Sequence, residues 1–492
     1  MEQLIQETEI IFGAPGCGKT TKLMEVLEKE LKVYEPERIA FVSFTKKGAT
    51  EGLTKAMEKF PYTEKQFVYF RTLHSICFRE LKMTKYDMIS KKDYKAFSDA
   101  MNMTFIGYYS EDFFHNDDRY LYLYFLKQNN YEMYKKIRDA TQVNIDILKH
   151  VAMNYNSYKK QFNRYDFTDL LQNVISQKIT LDIDVAIIDE AQDLTTLQWK
   201  VCEQLFSKAK KIYIAGDDDQ AIYEWTGADV NYFLDIKGTR TILDKSWRLQ
   251  SNLLVFAKKI SAMISNRVDK DFQPVQQGGE ILYYNSIDDF EFNPEETYYC
   301  LSRNNYFLTA YKTELKKQRK IFDVKGVPSV NPDIITAINN FKKYKNDKLL
   351  DKEKVAVAKY LKKDVQNIQD LEWYDAFRLS DSDKFYYRQL IQHRVYITDP
   401  KIHLNTIHGV KGGEADNVIL MMDVTKVVHE NLYNLADSEL RCLYVACTRA
   451  RKKLHVIFEQ SKHGYSEIFR ELTKDDNNLW GCRWHRKNNT GF

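Results

Sequence analysis

Three polar segments follow one another in the middle of the chain: Asp184-Val-Ala-Ile-Ile-Asp-Glu-Ala-Gln-Asp193, Ile212-Tyr-Ile-Ala-Gly-Asp-Asp-Asp-Gln-Ala-Ile-Tyr-Glu-Trp-Thr-Gly227 and Leu243-Asp-Lys-Ser-Trp-Arg248. Adjacent Asp189 and Glu190 supply what phosphoryl transfer to water asks of carboxylates. Asp189 is suited to hold Mg²⁺ through water, and Glu190 to orient and deprotonate the attacking water. Gln220 offers an amide that senses a γ-phosphate from the neighbouring strand. Charge developing on the transferred group calls for fixed cations, and two arginines are candidates: Arg248, and Arg449 in Tyr444-Val-Ala-Cys-Thr-Arg-Ala-Arg451.

Such a site needs a phosphate cradle, and Gly13-Ala-Pro-Gly-Cys-Gly-Lys-Thr20 matches G-x-x-x-x-G-K-[ST]. The loop Gly13, Ala14, Pro15, Gly16, Cys17, Gly18 closes around the β-phosphate through its backbone N–H groups. Lys19 reaches the β and γ oxygens, Thr20 ligates Mg²⁺, and Thr21 completes the nucleotide-binding set.

These side chains must be carried on strand ends. Val185 to Ile188 and Ile212 to Ala215 are short apolar runs that break abruptly into acid. That is the profile of strands buried on both faces of a parallel sheet, whose ligands sit at the carboxyl ends. Thr8 to Phe12 predicts the strand before the glycine loop, with a helix after it to about Lys32. Gln3 and Gln6 stand close to the loop and are assigned no base-reading role. Arg38 to Ser43 and Phe67 to Phe70 are further strands. Phe44, in Ser43-Phe-Thr-Lys-Lys-Gly-Ala49, and Thr72 and His74, in Arg71-Thr-Leu-His-Ser75, put rings and polar groups just past strand ends. That arrangement suits stacking and backbone contacts to a single strand.

Residues from about 80 to 177 have helical periodicity and many tyrosines, as in Tyr120-Leu-Tyr-Leu-Tyr-Phe125, and predict a helical insertion packing aromatics inside. Tyr165-Asp-Phe-Thr-Asp-Leu-Leu171 closes it. A helix from Asn252 to Met263 leads into a second αβ pattern, with strands near Glu280 to Tyr284, Tyr298 to Ser302, Ile402 to Ile407, Asn417 to Met422 and Leu454 to Phe458. Between them a Lys-rich helical segment, about Asn331 to Arg394, is either a solvated face or a surface for DNA phosphates.

At 492 residues the chain exceeds one core. Hydrophobic content of 44% with 29% charged residues describes a soluble globular protein and excludes a disordered one. No apolar run reaches membrane-spanning length, so no membrane partner is expected, and the first residues lack a signal-peptide layout. Seven scattered cysteines without a Cys-x-x-Cys pair point to a reducing, cytoplasmic setting rather than to zinc or disulfides. A net charge of +4 is too small to imply nucleic acid by itself.

The ordered set Gly13–Thr20, Ser43–Ala49, Asp189–Asp193, Gly216–Gly227, Trp247-Arg248, Thr406-Ile-His-Gly-Val-Lys-Gly-Gly-Glu414 and Glu439–Arg451 resembles the motifs of superfamily 1 DNA helicases of the UvrD/Rep/PcrA branch. The agreement runs across nearly the whole chain. The resemblance implies an α/β fold of two RecA-like P-loop domains with parallel sheets, each carrying a mostly helical insertion. The corresponding boundaries are core 1 in 1–79 and 178–250 with its insertion at 80–177, and core 2 in 251–330 and 398–492 with a short insertion at 331–397. It implies ATP and Mg²⁺ as cofactors, ATP being clamped between the cores with Arg248 and Arg449 on the γ-phosphate. Trp247 takes the position of an adenine-stacking ring and Glu414 that of a ribose ligand. Phe44, Thr72, His74, Tyr223, Trp225 and His408 match positions on the single-strand track.

The expected activity is ATP-dependent translocation on single-stranded DNA, with 3′-to-5′ unwinding of tailed duplexes. The alternatives are an ATP-gated DNA-binding or remodelling module, and a motor subunit for a nuclease, replication or repair partner. Two departures stand out. Thr226 occupies the place of the family's usual Arg, and only Glu459-Gln-Ser-Lys-His-Gly-Tyr465 remains after Phe458 for a strand-separating hairpin.

Overall fold

The computed structural model describes residues 7–107, 116–141, 143–363, 365, 367–433 and 436–473. Gln3 and Gln6 lie outside the described residues. The chain divides into two compact units, Met1–Gly278 with Glu430–Thr448, and Gly279–His429 with Arg449–Phe492.

The first unit is built on six parallel strands: β1 (Glu7–Gly13), β2 (Ile39–Ser43), β3 (Tyr69–Thr72), β4 (Val185–Asp189), β5 (Lys211–Gly216) and β6 (Thr239–Leu243). Their spatial order is β3-β2-β4-β5-β1-β6. Alternate residues feed opposite faces, as a pleated strand requires. Ile11, Phe41, Ile187 and Ala215 face one core with Leu23 and Leu27 of the helix Lys19–Glu30. Ile10, Phe12, Val42, Ile188 and Ile214 face the other, with Leu73, Leu170, Trp199 and Leu205. Burial on both faces explains why the central strands read as unbroken apolar runs.

Register aligns the chemistry. Phe12 pairs with Gly216 and Ser43 with Asp189, so the carboxyl ends of β1, β5, β4 and β2 finish along one edge of the sheet.

The insertion of this unit has a core of its own. Helices Lys91–Met101, Asp118–Asn129, Tyr131–Thr141 and Ile145–Gln161 bury Phe97, Tyr120, Leu121, Leu123, Tyr134 and Tyr155 together. The aromatics do pack inside. The helix Phe167–Ser176 then returns Leu170, Leu171 and Val174 to the sheet core.

Two further strands, β7 (Lys245–Gln250) and β8 (Gln273–Gln276), pair in parallel as a separate ribbon. Residues 251–278 therefore belong with the first unit, whereas the sequence placed the boundary at residue 250. The reason lies in buried charge: Arg267 and Lys270 pair with the aspartates that follow β5. The segment Glu430–Thr448, which holds the helix Asp437–Cys447, likewise belongs to the first unit, although the chain before Glu430 and after Thr448 belongs to the second.

The second unit contains β9 (Glu280–Tyr284), β10 (Tyr298–Ser302), β11 (Asp323–Val324), β12 (Val327–Pro328), β13 (Ile402–Thr406), β14 (Ala415–Met421) and β15 (Ala450–Ile457). They run in the order β12-β11-β13-β10-β14-β15-β9, parallel except for the β11–β12 hairpin. The helices Pro332–Lys345, Asp351–Ala358 and Asp381–Gln392 contribute Phe341, Val357, Tyr386 and Tyr387 to the core that also holds Cys300, Leu404 and Ile419 of the sheet. The second insertion is thus continuous with its sheet rather than a separate bundle.

Boundaries shift where local chemistry overrides an apolar run. The strand expected at Phe67 to Phe70 is Tyr69–Thr72, because Phe67 N–H closes a turn on Thr63 O and Phe70 N–H bonds Phe67 O. β15 begins at Ala450, four residues earlier than expected, its first turn disguised by Arg451 and Lys452 on the exposed face. β6 was not anticipated: it is an edge strand with alternating exposed residues and no apolar run.

Gly52 shows how tightly the first helix layer is set. A Cβ there would lie 2.4 Å from the Phe41 ring of β2. Gly52→Ala gains about 1 kcal/mol of helix propensity but overpacks at a cost of about 1–3 kcal/mol. Chemical denaturation should therefore find the variant less stable than the parent; a gain in stability would mean that the helix is free to move away.

Candidate nucleotide and nucleic-acid site

β1 runs into a loop that only glycines can close. Gly16 and Gly18 have φ of +72° and +83°, in the left-handed region that other residues avoid. A Cβ at Gly16 would lie 2.3 Å from Cβ of Arg248. Gly18 caps the helix Lys19–Glu30 without a side-chain hydrogen bond, so the first-turn N–H groups stay directed out of the helix end. That end is an anion cradle. Lys19 Nζ donates to Gly13 O at 2.8 Å, reaching back over the loop. Burial works against its charge, yet the neighbouring charges of Cys17, Asp217, Glu190 and Asp189 outweigh burial and raise its pKa.

β7 is pinned to this loop. Ser246 Oγ donates to Pro15 O at 2.9 Å, and Trp247 N donates to Gly16 O at 2.9 Å. Trp247 and Arg248 are thereby held against the cradle, with the Trp247 ring 62% exposed.

Beside the loop, β4 delivers Asp189 and Glu190. Burial, followed by the charge of Glu190, raises the pKa of Asp189 to about 7. Glu190 itself stands at φ +54°, a left-handed conformation that costs a non-glycine residue about 1 kcal/mol. Its carboxylate is oriented by Gln192, which is fully buried. Gln192 Oε1 accepts from Asp217 N at 3.0 Å, so Nε2 must be the donor to Glu190 Oε2, at 2.5 Å. The amide thus ties the ends of β4 and β5 and holds Glu190 Oε2 as an acceptor. Thr20 and Asp189 offer a hydroxyl and a carboxylate, the oxygen donors Mg²⁺ takes alongside waters and substrate phosphates. Among the described residues no cluster of three or more His, Cys, Asp or Glu forms a protein cage for metal.

The acidic run after β5 points inward. Asp217, Asp218 and Asp219 are fully buried. Lys270 Nζ contacts all three, at 3.1 Å for Asp217 and 3.0 Å for Asp219, while Arg267 forks onto Asp219 with two 2.9 Å bonds. Burial favours protonation of Asp217, but Lys270 and Lys19 reverse this and hold it below the usual carboxylate range. The run is structural, and its product is the placement of Gln220, whose Nε2 donates to Asp217 Oδ2 at 2.7 Å.

Aromatic groups line the same sheet edge. Phe44 and Tyr223 pack with ring centroids 5.7 Å apart and their planes tilted by 30°. Trp225 follows in the same turn, its carbonyl accepting from Tyr122 Oη of the insertion at 2.6 Å. His74 lies edge-on to Phe167 at 5.5 Å. Burial lowers the His74 pKa to about 4, so at neutral pH it serves as a neutral ring and hydrogen-bonding group, not as a cation. Thr72 caps the helix Leu73–Glu80 by accepting from Ser75 N at 3.3 Å.

The remaining predicted residues, His408, Glu414 and Arg449, are carried by the second unit. His408 opens a short turn after β13. Arg449 is buried, with Nη1 donating to Gly413 O at 3.2 Å. Glu414 faces Arg451 at 3.6 Å. Sequence reasoning missed Gln192, Arg267 and Lys270, whose roles arise from contacts between separate elements. It also missed Phe167, which was quoted only as a closing motif although its ring is 66% exposed.

A glycine-loop cradle at the end of a parallel strand, faced by Asp189, Glu190 and Gln220, defines a P-loop α/β protein of the nucleoside-triphosphate-binding class. The comparisons narrow this. A family model described as the UvrD/REP helicase N-terminal domain matches residues 2–241, and one described as the UvrD-like helicase C-terminal domain matches 401–457. The chain belongs to the UvrD/Rep/PcrA helicase family, superfamily 1.

Among relatives, the ATP-dependent DNA helicase Rep of Buchnera aphidicola is 25% identical over 53% of this chain and 41% of its own. The ATP-dependent DNA helicase PcrA of Staphylococcus epidermidis is 27% identical over 56% and 41%; that of Staphylococcus aureus is 24% identical over 56% and 40%. The matches thus span about two fifths of these relatives' length. A solved structure of the PRRSV helicase aligns at 11% identity with a TM-score of 0.34, over 92% of this chain and 53% of that one. Among the described residues no helix is long and apolar enough to cross a membrane.

Replacing Lys270 by Met leaves buried carboxylates without their counter-charge. The expected loss is about 3–5 kcal/mol of unfolding free energy, read by denaturant titration. A near-neutral result would show that the aspartates take up protons or reach solvent instead.

Proposed function

We propose that this chain is an ATP-dependent motor that moves along single-stranded DNA, with 3′-to-5′ unwinding as the form that movement takes on a tailed duplex. One observation carries the reading. A single sheet edge holds both the phosphate machinery, Lys19, Asp189, Glu190 and Gln220, and a row of aromatic groups, Phe44, Tyr223, Trp225 and His74 with Phe167. Rings stack on any base, so such a row grips a strand without reading its sequence.

In this reading the backbone N–H groups of the loop and Lys19 hold the phosphates. Glu190, held as an acceptor by Gln192, takes the proton of a water whose oxygen attacks the γ-phosphorus, while the bond to the β–γ bridging oxygen breaks. Gln220 registers the γ-phosphate, and Arg248 and Arg449 are assigned to the charge that develops there. Thr20 and Asp189 are the residues that would hold Mg²⁺, which would supply positive charge to the phosphate oxygens. Trp247 is the stacking partner assigned to adenine, and Glu414 the ribose ligand. Thr72 and His408 complete the single-strand set. The relatives named above are called ATP-dependent DNA helicases, which supports the substrate pair of ATP and DNA. The same reading makes the setting cytoplasmic.

The test is the steady-state ATPase rate with and without a short DNA single strand, followed by displacement from duplexes with a 3′ or a 5′ tail. Strong stimulation and displacement only from the 3′ tail are expected. Stimulation without displacement would favour the module that needs a nuclease, replication or repair partner. Lys19→Ala should abolish ATP turnover. Glu190→Gln should bind ATP yet lose about 10²- to 10⁴-fold in turnover; near-normal turnover would remove Glu190 from the role of base. Trp225→Ala and Phe167→Ala should each raise the half-stimulating DNA concentration by about tenfold, the loss of one stacked base. An unchanged concentration would take that ring off the track.

A further inference from the structure

Within the first unit, the turn of Gln220 and the turn of Trp225 are joined by one side chain that neither turn supplies. Arg441, on the helix Asp437–Cys447, is 1% exposed. Its Nε donates to Asp218 O at 2.9 Å, its Nη1 to Glu224 Oε1 at 2.7 Å and its Nη2 to Asn266 O at 2.7 Å. Asp218 opens the three-residue turn that ends at Gln220, and Glu224 opens the one that contains Trp225. Burial raises the pKa of Glu224 and Arg441 counters it, so the pair is a charge link within protein rather than a surface contact.

The other side of the Trp225 turn is fastened to the helical insertion. Tyr122 Oη donates to Trp225 O at 2.6 Å and Asn130 Nδ2 donates to Gly227 O at 3.2 Å. The turn is held at both ends, and a side-chain fork from it toward the Gln220 turn runs through Arg441. Thr226, whose hydroxyl donates back to Tyr223 O at 2.8 Å within the turn, has no reach to do this.

We infer that Arg441 is the positioning residue that couples the Gln220 turn to the Trp225 turn, so that a strand stacked on Trp225 sets the placement of Gln220 at the phosphate. This deepens the reading of the site as a DNA-stimulated ATPase and rests on it. Three donors in one rigid plane are required, because a guanidinium fixes the two turns at once whereas an ammonium holds one point. The chain crosses to the second unit at Arg449, directly after Thr448, so the helix that carries this link is also the one that leads to the second candidate arginine.

The experiment compares the full chain with its Arg441→Lys, Arg441→Gln and Glu224→Ala variants. ATP turnover is measured without DNA and with saturating oligothymidylate, together with KM for ATP, the half-stimulating DNA concentration and the melting temperature. Loss of the fork should lower the DNA-stimulated kcat by about tenfold, the scale of one charge-assisted hydrogen bond. The rate without DNA, the KM and the half-stimulating concentration should each change by less than about threefold. Arg441→Lys is expected to fail as fully as Arg441→Gln.

Unimpaired stimulation in Arg441→Lys would overturn the proposal. So would a proportional fall in basal and stimulated rates, which is the mark of a merely structural role. Should the Arg441 variants not fold, Glu224→Ala breaks the same bridge at the turn's edge and carries the same expectation. Absence of stimulation in the parent chain would strike the DNA-motor reading itself, an outcome distinct from loss of stimulation in the variants alone.

Discussion

Three consecutive carboxylates buried behind a phosphate loop are the constraint on which the first unit depends. Leaving Asp217, Asp218 and Asp219 charged and uncompensated at such depth would cost about several kcal/mol each, a sum comparable with a domain's stability. Lys270 and Arg267 make the arrangement possible, and they come from a stretch that the β-sheet does not contain. Compensation therefore drags residues 251–278 onto the sheet's carboxyl edge. Val268 N donates to Asp218 Oδ2 at 2.7 Å along the way. Asn266 in the same stretch supplies the carbonyl that Arg441 needs. The charge cluster fixes where the unit ends, where Gln220 sits and where the helix Asp437–Cys447 docks.

The catalytic edge was legible because its signals are local. A glycine loop between a strand and a helix is written in eight consecutive residues, and apolar runs ending in acid mark β4 and β5 without knowledge of their neighbours. The same locality explains the failures. Gln192 lies in a quoted motif, yet its use is set by the N–H of Asp217, 25 residues away. Lys270 sits between two aspartates in Asp269-Lys-Asp271 and reads as an ordinary solvated lysine. The acidic run does not announce its structural role, because its counter-charges, Arg267 and Lys270, are distant in sequence. β6 and β15 show the limit for elements: edge exposure and basic residues hide a strand from any pattern based on apolar runs.

Strain and rigidity divide along the same edge. Glu190 holds a left-handed backbone immediately after a fully buried strand, and such a conformation persists only where surroundings over-determine it. Here they do: Glu190 N–H bonds Asp189 Oδ1 at 2.9 Å, Asp193 N–H bonds Glu190 O at 3.1 Å, and Gln192 holds the carboxylate. In the proposed role of base, a carboxylate kept in one orientation needs no reorganisation when charge develops.

The aromatic row is built on the opposite principle. Phe44, Tyr223 and Trp225 occupy turns rather than strands, and the carbonyl of Trp225 is fastened to the insertion. Rings stack on any base in the proposed single-strand role, whereas a carboxylate free to tilt loses its water. The proposed motor would need both groups on one sheet edge, joined by something stiffer than the turns themselves. A planar cation bonded to Asp218, Glu224 and Asn266 at once meets that requirement, because no one of the three groups can shift without displacing the other two.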